Sequence, residues 1–348
     1  MKKIILRIFY ALQIHRLMRF IYRNRVIILM YHGFTGKAEF DGITNYHRQN
    51  LHIDKFKKHL AYLKRNYNII ALDEFVSGIR SGKKPPPCSI IITIDDGYKS
   101  NYSIAFPILM EFNVPASIFL TTNFIGEKVP LWSDRIEYAV NNTDLKNVEI
   151  EIDGEKLRFD LNDRNARIVC DSGIKSRLKK IQQETRDKFV QEIEKMFHVK
   201  LFFDKNTPEI YLPLEWDEIS EMRKSGLISF GSHTHSHYIL PRCNPETIKN
   251  ELLQSKKLIE GKTGVPCTLF CYPNGNPGDF NESIGKMLKE LGYSCALTTV
   301  SGFNDMKTNP YELMRIGVGD EDDMIEFIMK ISGVMKFLLD FKKMISKR

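Results

Sequence analysis

The chain has 348 residues, 43% of them hydrophobic and 27% charged. That is enough to bury a large core, and the composition is too evenly mixed for a disordered or fibrous protein. The net charge of +8 sits at the ends, where residues 1–25 hold seven Lys/Arg and no acid, and residues 330–348 hold six Lys/Arg against Asp340; this distribution argues against a nucleic-acid groove through the core.

Residues 1–25 begin like a leader peptide, with Lys2-Lys3 before Ile4-Ile5-Leu6, but Arg7 interrupts the apolar run and no cleavage site follows. Lys3, Arg7, His15, Arg16, Arg19 and Arg23 recur at helical spacing among Ile4, Ile8, Phe9, Leu12, Leu17, Phe20 and Ile21. The segment reads as one basic amphipathic helix, able to lie on an anionic membrane surface or to pack with its Arg stripe in water. No run is long enough to span a bilayer. The expectation is a cytoplasmic protein, peripheral at the inner face of the membrane.

From residue 26 onward, apolar β-rich runs alternate with helical patterns. Residues 26–31, 67–71, 89–94, 116–120, 227–230, 268–272, 294–298 and 315–318 read as strands. Residues 54–66, 73–81, 101–112, 215–225, 245–263 and 283–291 read as helices, several opened by capping residues such as Asp54, Asp73 and Asn244. This alternation predicts an α/β protein, a distorted (β/α) barrel of about seven parallel strands over 26–320. Residues 142–213 break the rhythm. Two short strand patterns flank Asp153-Gly154, a hairpin signal, and a charged helical stretch follows at 174–197. This is expected to be a cap-like insertion over the barrel mouth. Residues 321–348 read as a second basic amphipathic helix, with Phe327–Phe341 apolar before Lys342-Lys343. The six cysteines are scattered, mostly in apolar runs, and read as free thiols.

Polar residues gather where the predicted strands end: His32, Asp95 and Asp96, Thr121 and Thr122, Ser232 and His233, and Pro273-Asn274-Gly275. In a parallel barrel these ends share one face, where active sites are built. Adjacent carboxylates closing a buried strand are poor for stability, because like charges repel and Asp is a weak strand former. They make sense if one holds a metal and the other moves a proton. His233 and His237 are four residues apart, and two such imidazoles with a carboxylate make a three-ligand set. That leaves a coordination position open for a water whose pKa a zinc ion lowers to about 7.

Thr93-Ile94-Asp95-Asp96-Gly97 and His233-Thr234-His235-Ser236-His237 resemble the first two motifs of the polysaccharide deacetylases, the NodB-homology group of carbohydrate esterases. The resemblance covers roughly residues 26–130 and 214–318. It implies that Asp96, His233 and His237 bind a divalent metal, most simply Zn²⁺, and that Asp95 is the general base. His235 falls at a variable position and is not counted as a ligand. The third motif departs, since Cys271 stands where an Arg is usual in Phe270-Cys271-Tyr272-Pro273-Asn274-Gly275. The oxyanion donor implied by the resemblance is then the Asn274 backbone N–H, with Tyr272 and Pro273 at the substrate. The usual late general-acid His is missing, because the last histidine in the chain is His237.

Leu29-Met30-Tyr31-His32-Gly33 resembles the opening of a branch with circularly permuted motifs, which acts on poly-N-acetylglucosamine and other surface polysaccharides. That implies His32 as the acid. Arg315-Ile316 matches an Arg-Ile pair in the same branch, making Arg315 the candidate to orient Asp95. Leu131-Trp132-Ser133-Asp134-Arg135 also matches, making Trp132 and Asp134 substrate-site candidates. The function implied is N-deacetylation of an N-acetylated glycan or lipid-linked oligosaccharide. The alternatives are an O-acetyl glycan esterase or a degenerate glycan-binding protein of the same fold.

Overall fold

The computed structural model of the chain describes residues 2–204 and 206–338. Seven parallel strands form a curled sheet in the order Cys295–Leu297, Leu269–Cys271, Ile228–Ser232, Ala116–Leu120, Ser89–Ile94, Ile27–Tyr31 and Ile316–Gly317. A short eighth strand, Asn68–Ile69, pairs in parallel with Ser89–Ile94. The segment entering the last strand bridges the ends of the curl. Leu313 bridges Leu297, and the Thr298 N–H donates to the Leu313 carbonyl at 2.8 Å. Three residues later the same segment pairs Ile316 with Leu29. The result is the expected distorted (β/α) barrel.

Side-chain alternation along the strands sorts the core into two layers. Ile27, Leu29, Ile90, Ile92 and Ile94 pack outward against the helices, with Leu60, Leu109, Ile219 and Leu252. Ile28, Ile91, Phe119, Leu269, Cys271 and Leu297 fill the interior of the curl. Ser89–Ile94 is buried at all six positions, as a strand covered on both faces requires. All six cysteines are free.

The insertion has its own core. The helix Trp132–Asn142, the antiparallel hairpin Asn147–Ile152 and Glu155–Asp160, and the helices Arg164–Leu178 and Gln183–Met196 bury Ile136, Ile150, Ile174, Val190 and Phe197 together. The hairpin turns at Asp153 and Gly154, with φ of 53° and 77°, the paired left-handed turn the dipeptide favours. The charged stretch expected as one helix over 174–197 is thus parts of two.

The N-terminal segment is also two helices, Lys2–Ala11 and Ile14–Ile21, broken at Gln13, whose φ is 59°. Leu6 and Met18 are buried against Met329 and Val334 near the end of the chain. The expected C-terminal helix is observed as Met324–Ile331 and is interrupted at Gly333, whose φ is 91°. The rest of that expectation, including Phe341 and Lys342-Lys343, lies outside the described residues. No helix among the described residues is long and apolar enough to cross a membrane.

His59, in the helix Ile53–Asn66, stacks on Phe327 with ring centroids 3.7 Å apart. Burial pushes its imidazole down to about 3 from 6.5. A histidine held neutral in the fold takes its proton only on unfolding. Stability is therefore whole above pH 6.5 and falls as pH drops toward about 3. His59→Leu is expected to flatten that part of the acid limb, by a few kcal/mol at most, in denaturant titrations run across this window.

Candidate active site

The site is built where the barrel strands end. Ser89–Ile94 runs into Asp95, whose N–H donates to the Tyr31 carbonyl at 2.9 Å and so extends the sheet by one bond. Asp96 and Gly97 then turn back with φ of 75° and 86°. A Cβ on Gly97 would lie 2.9 Å from the Ile125 side chain, so only glycine closes this turn. Thr234 and His237, with φ of 66° and 55°, are also left-handed. For a β-branched Thr this is a genuine outlier. Each such residue costs on the order of 1–3 kcal/mol, and strain of this kind gathers at functional sites.

Asp96 Oδ1 lies 3.5 Å from His233 Nε2 and 3.3 Å from His237 Nε2. His233 Nδ1 is 2.8 Å from the Cys271 carbonyl. A carbonyl can only accept, so Nδ1 carries the proton and Nε2 presents a lone pair toward Asp96. Burial pushes the His233 imidazole down to about 4, which keeps it neutral. Burial alone would raise the Asp96 carboxyl, but His237 beside it, with His32 and His233, holds it well below the carboxylate range. Asp96 Oδ1 is buried and has no hydrogen-bond partner. A buried anionic oxygen without a donor, facing an imidazole lone pair, is costly unless a cation lies between. These three residues therefore fit a divalent metal.

Asp95 is 2% exposed and held differently. Arg315 Nη1 donates to its Oδ1 at 2.8 Å, and the Cys271 thiol lies 3.7 Å from its Oδ2. Burial works to raise this carboxyl, and the Arg315 guanidinium, together with His233 and His32, outweighs it, keeping Asp95 ionised. Arg315 Nε also donates to the Thr298 carbonyl at 2.8 Å. The Cys271 thiol and the guanidinium of Arg315, the residue before the last strand, thus meet the two oxygens of Asp95.

A cavity of about 300 Å³ opens on these residues, lined among others by His32, Asp96, Trp132, Asp134, His237, Pro273 and Asn274. His32 is anchored through its backbone, since Asn101 Nδ2 donates to its carbonyl at 2.8 Å. Asn101 is fully buried and opens the π-helix Asn101–Ala105, a local widening that often marks functional sites. The Asn274 backbone N–H donates to no protein acceptor among the described residues. Asp134 accepts from the Tyr98 hydroxyl at 3.0 Å, and burial, with Glu137 nearby, raises its carboxyl well above the usual range.

Two expectations need correction. Tyr272 does not reach the cavity, because it is 1% exposed and its hydroxyl donates to the Tyr311 carbonyl at 3.2 Å. A residue at the end of an inward-alternating strand points its neighbour, not itself, at the mouth. Trp132 lines the cavity but is only 6% exposed, and the Arg186 guanidinium covers its ring at 4.9 Å. It offers an edge, not an open stacking face. His235 points away from the metal residues, to Thr122 Oγ1 at 2.9 Å and Gln254 at 3.0 Å.

Three supporting residues had no sequence signal. Arg186 of the insertion is 1% exposed and donates to the carbonyls of Ser236 and His237 at 3.3 and 3.2 Å. Glu251, from the helix Pro245–Thr263, accepts from the N–H groups of His235 and Ser236 at 2.9 and 2.7 Å. Between them they clamp the strained histidine loop from both sides. Asn101 is the third. The insertion is thus part of the site's framework as well as its wall.

The model of the polysaccharide deacetylase family matches residues 82–296. YxkH of Bacillus subtilis, whose name assigns it to the polysaccharide deacetylases only provisionally, is 22% identical over 294 residues, 84% of this chain and 70% of that protein. A poly-β-1,6-N-acetyl-D-glucosamine N-deacetylase of Staphylococcus epidermidis is 37% identical over 73 residues, 21% of this chain and 25% of its own length. Among solved structures, the Streptococcus pyogenes deacetylase PplD in complex with acetate matches with a TM-score of 0.57 at 15% identity, over 88% of this chain and 98% of that one. IcaB from Ammonifex degensii matches with a TM-score of 0.56 at 16% identity, over 89% and 97%. At these identities the structural likeness concerns the fold.

Proposed function

We propose that this chain, which belongs to the polysaccharide deacetylase family, hydrolyses N-acetyl groups on an N-acetylated glycan or its lipid-linked precursor. The observation that carries the reading is the Asp96 oxygen, buried, unpartnered and within 3.5 Å of two imidazole nitrogens. The local match to an N-deacetylase of poly-N-acetylglucosamine supports the substrate class.

Asp96, His233 and His237 would hold the ion, and two imidazoles with one carboxylate suit zinc. When bound, a divalent ion supplies Lewis acidity that polarises the acetyl carbonyl and acidifies water. Asp95, ionised beside Arg315, takes the proton of the attacking water at its carboxylate. The N–H of Asn274 donates to the oxyanion as the carbonyl carbon becomes tetrahedral, a role that depends on backbone and not on side chain. His32 gives a proton to the departing amine nitrogen, because an amide leaves poorly without one. Asp134 and Pro273 meet the sugar along the cavity wall, with the edge of Trp132. The products are acetate and a free amino sugar.

The test is acetate release from N-acetylglucosamine oligosaccharides by the purified protein, before and after a chelator and after zinc is restored. Release that is lost with chelation and restored by zinc is expected, and His32→Ala should lower turnover by about 10²–10⁴-fold. Chelator-insensitive release would overturn the metal assignment. Release from O-acetylated sugars alone, with His32 dispensable, would overturn the amide reading.

A further inference from the structure

The two N-terminal helices take no part in the site, yet exposed apolar side chains are concentrated on them among the described residues. Eight of the fifteen large apolar side chains exposed among the described residues fall within residues 4–21. Each helix carries two apolar stripes. The inner one, Leu6 and Met18, is buried against Met329 and Val334. The outer one is Ile4 and Ile8 on the first helix and Leu12 just past its end, at 63%, 51% and 65% exposure. It continues as Leu17, Phe20 and Ile21 on the second, at 55%, 61% and 55%. Spacings of three and four residues keep each outer stripe on one helical face. A contiguous exposed apolar patch of this kind marks an interaction surface.

The charge pattern selects the partner. Arg7 and Arg16 are exposed and pair with no acidic side chain among the described residues. No Asp or Glu occurs anywhere in residues 1–25. Helices that lie in a lipid interface pair an apolar face with a polar face rich in Lys and Arg, and a segment with basic residues and no acidic ones is drawn to an anionic surface. The helices are ten and eight residues long, too short to span a bilayer. The chain turns at Gln13, between the two helices, and their inner residues Leu6 and Met18 hold the catalytic domain.

We propose that residues 2–23 are a membrane-docking element that seats the outer apolar stripe in an anionic lipid bilayer, with Arg7 and Arg16 at the headgroups. The inference does not depend on the deacetylase reading. It is tested by sedimenting the full-length protein with vesicles of phosphatidylglycerol and phosphatidylcholine, and with phosphatidylcholine alone. Binding to the anionic vesicles that weakens with salt is expected. Arg7→Gln/Arg16→Gln should weaken it by about thirtyfold, from the usual attraction of two basic residues to an anionic surface. Leu12→Gln/Leu17→Gln should weaken it at least about tenfold by removing apolar burial. Both variants change exposed side chains, so circular dichroism and acetate release from soluble oligosaccharides should be unchanged. Failure to bind anionic vesicles, or equal binding by wild type and both variants, would overturn the proposal. So would a dimer in sedimentation velocity that Leu12→Gln/Leu17→Gln dissolves, because the stripe would then be covered by a second copy.

Discussion

Asp96→Gly protein is expected to lose its metal and its turnover together, and to be no less stable than the metal-free wild type. The two neighbouring carboxylates make opposite demands on the fold. Asp96 sits at φ 75° with a buried oxygen that no donor meets, so in the metal-free chain it is a liability on two counts. Glycine relieves the left-handed backbone and removes the unpaired oxygen, which offsets the entropy glycine adds to the unfolded chain. Asp95→Asn should behave differently. Its side chain is not among the metal residues drawn together around Asp96, so metal content should stay near wild type while kcat falls about 10²–10⁴-fold with the loss of the base. Metal content by mass spectrometry, acetate release and denaturant unfolding of both proteins separate the roles. Retained metal in Asp96→Gly, or its loss in Asp95→Asn with Asp96 intact, would show that the carboxylates have been assigned the wrong way round.

How much of this was legible in the sequence depends on where each residue's partner lies. Asp95, Asp96, His233 and His237 could be placed because strand alternation forecasts which ends converge, and the converging residues are chemically unusual there. The pairing of Cys271 with Arg315 around Asp95 was visible only through family resemblance, since the two residues lie 44 positions apart in the chain. Arg186 and Glu251 gave no signal because their partners are backbone groups of residues 235–237, and every sequence offers backbone groups. Tyr272 was misplaced by one step of a period-two pattern, where a single residue decides between cavity and core. The break at Gln13 was invisible for a related reason. Neither Gly nor Pro marks it, and it follows from both helices docking their inner stripe on Met329 and Val334. The insertion was expected as a cap, and the part the sequence did not suggest is that it reaches back to brace the histidine loop.

Arg315→Met should cost stability and activity at once, and the two losses should come apart in a double variant. Arg315 and Asp95 are 1% and 2% exposed, and their ion pair measures 2.8 Å. Removing one member of such a pair leaves an uncompensated buried charge, which costs roughly 3–5 kcal/mol. The Thr298 carbonyl would lose its guanidinium donor as well. With the guanidinium gone, the largest influence opposing burial is lost and only the weaker ones of His233 and His32 remain, so the Asp95 carboxyl shifts toward the neutral form and becomes a poorer base. Turnover should therefore fall steeply at neutral pH with metal still bound. Arg315→Lys should recover little of the stability, because a single ammonium cannot serve both the Asp95 carboxylate and the Thr298 carbonyl from that stem. Asp95→Asn/Arg315→Met removes both charges and should regain most of the lost stability, with a coupling free energy of several kcal/mol in a double-mutant cycle, while remaining inactive. Additive losses in that cycle would mean that Arg315 serves the barrel closure alone. Wild-type kcat in Arg315→Met would mean that Asp95 keeps its charge without it.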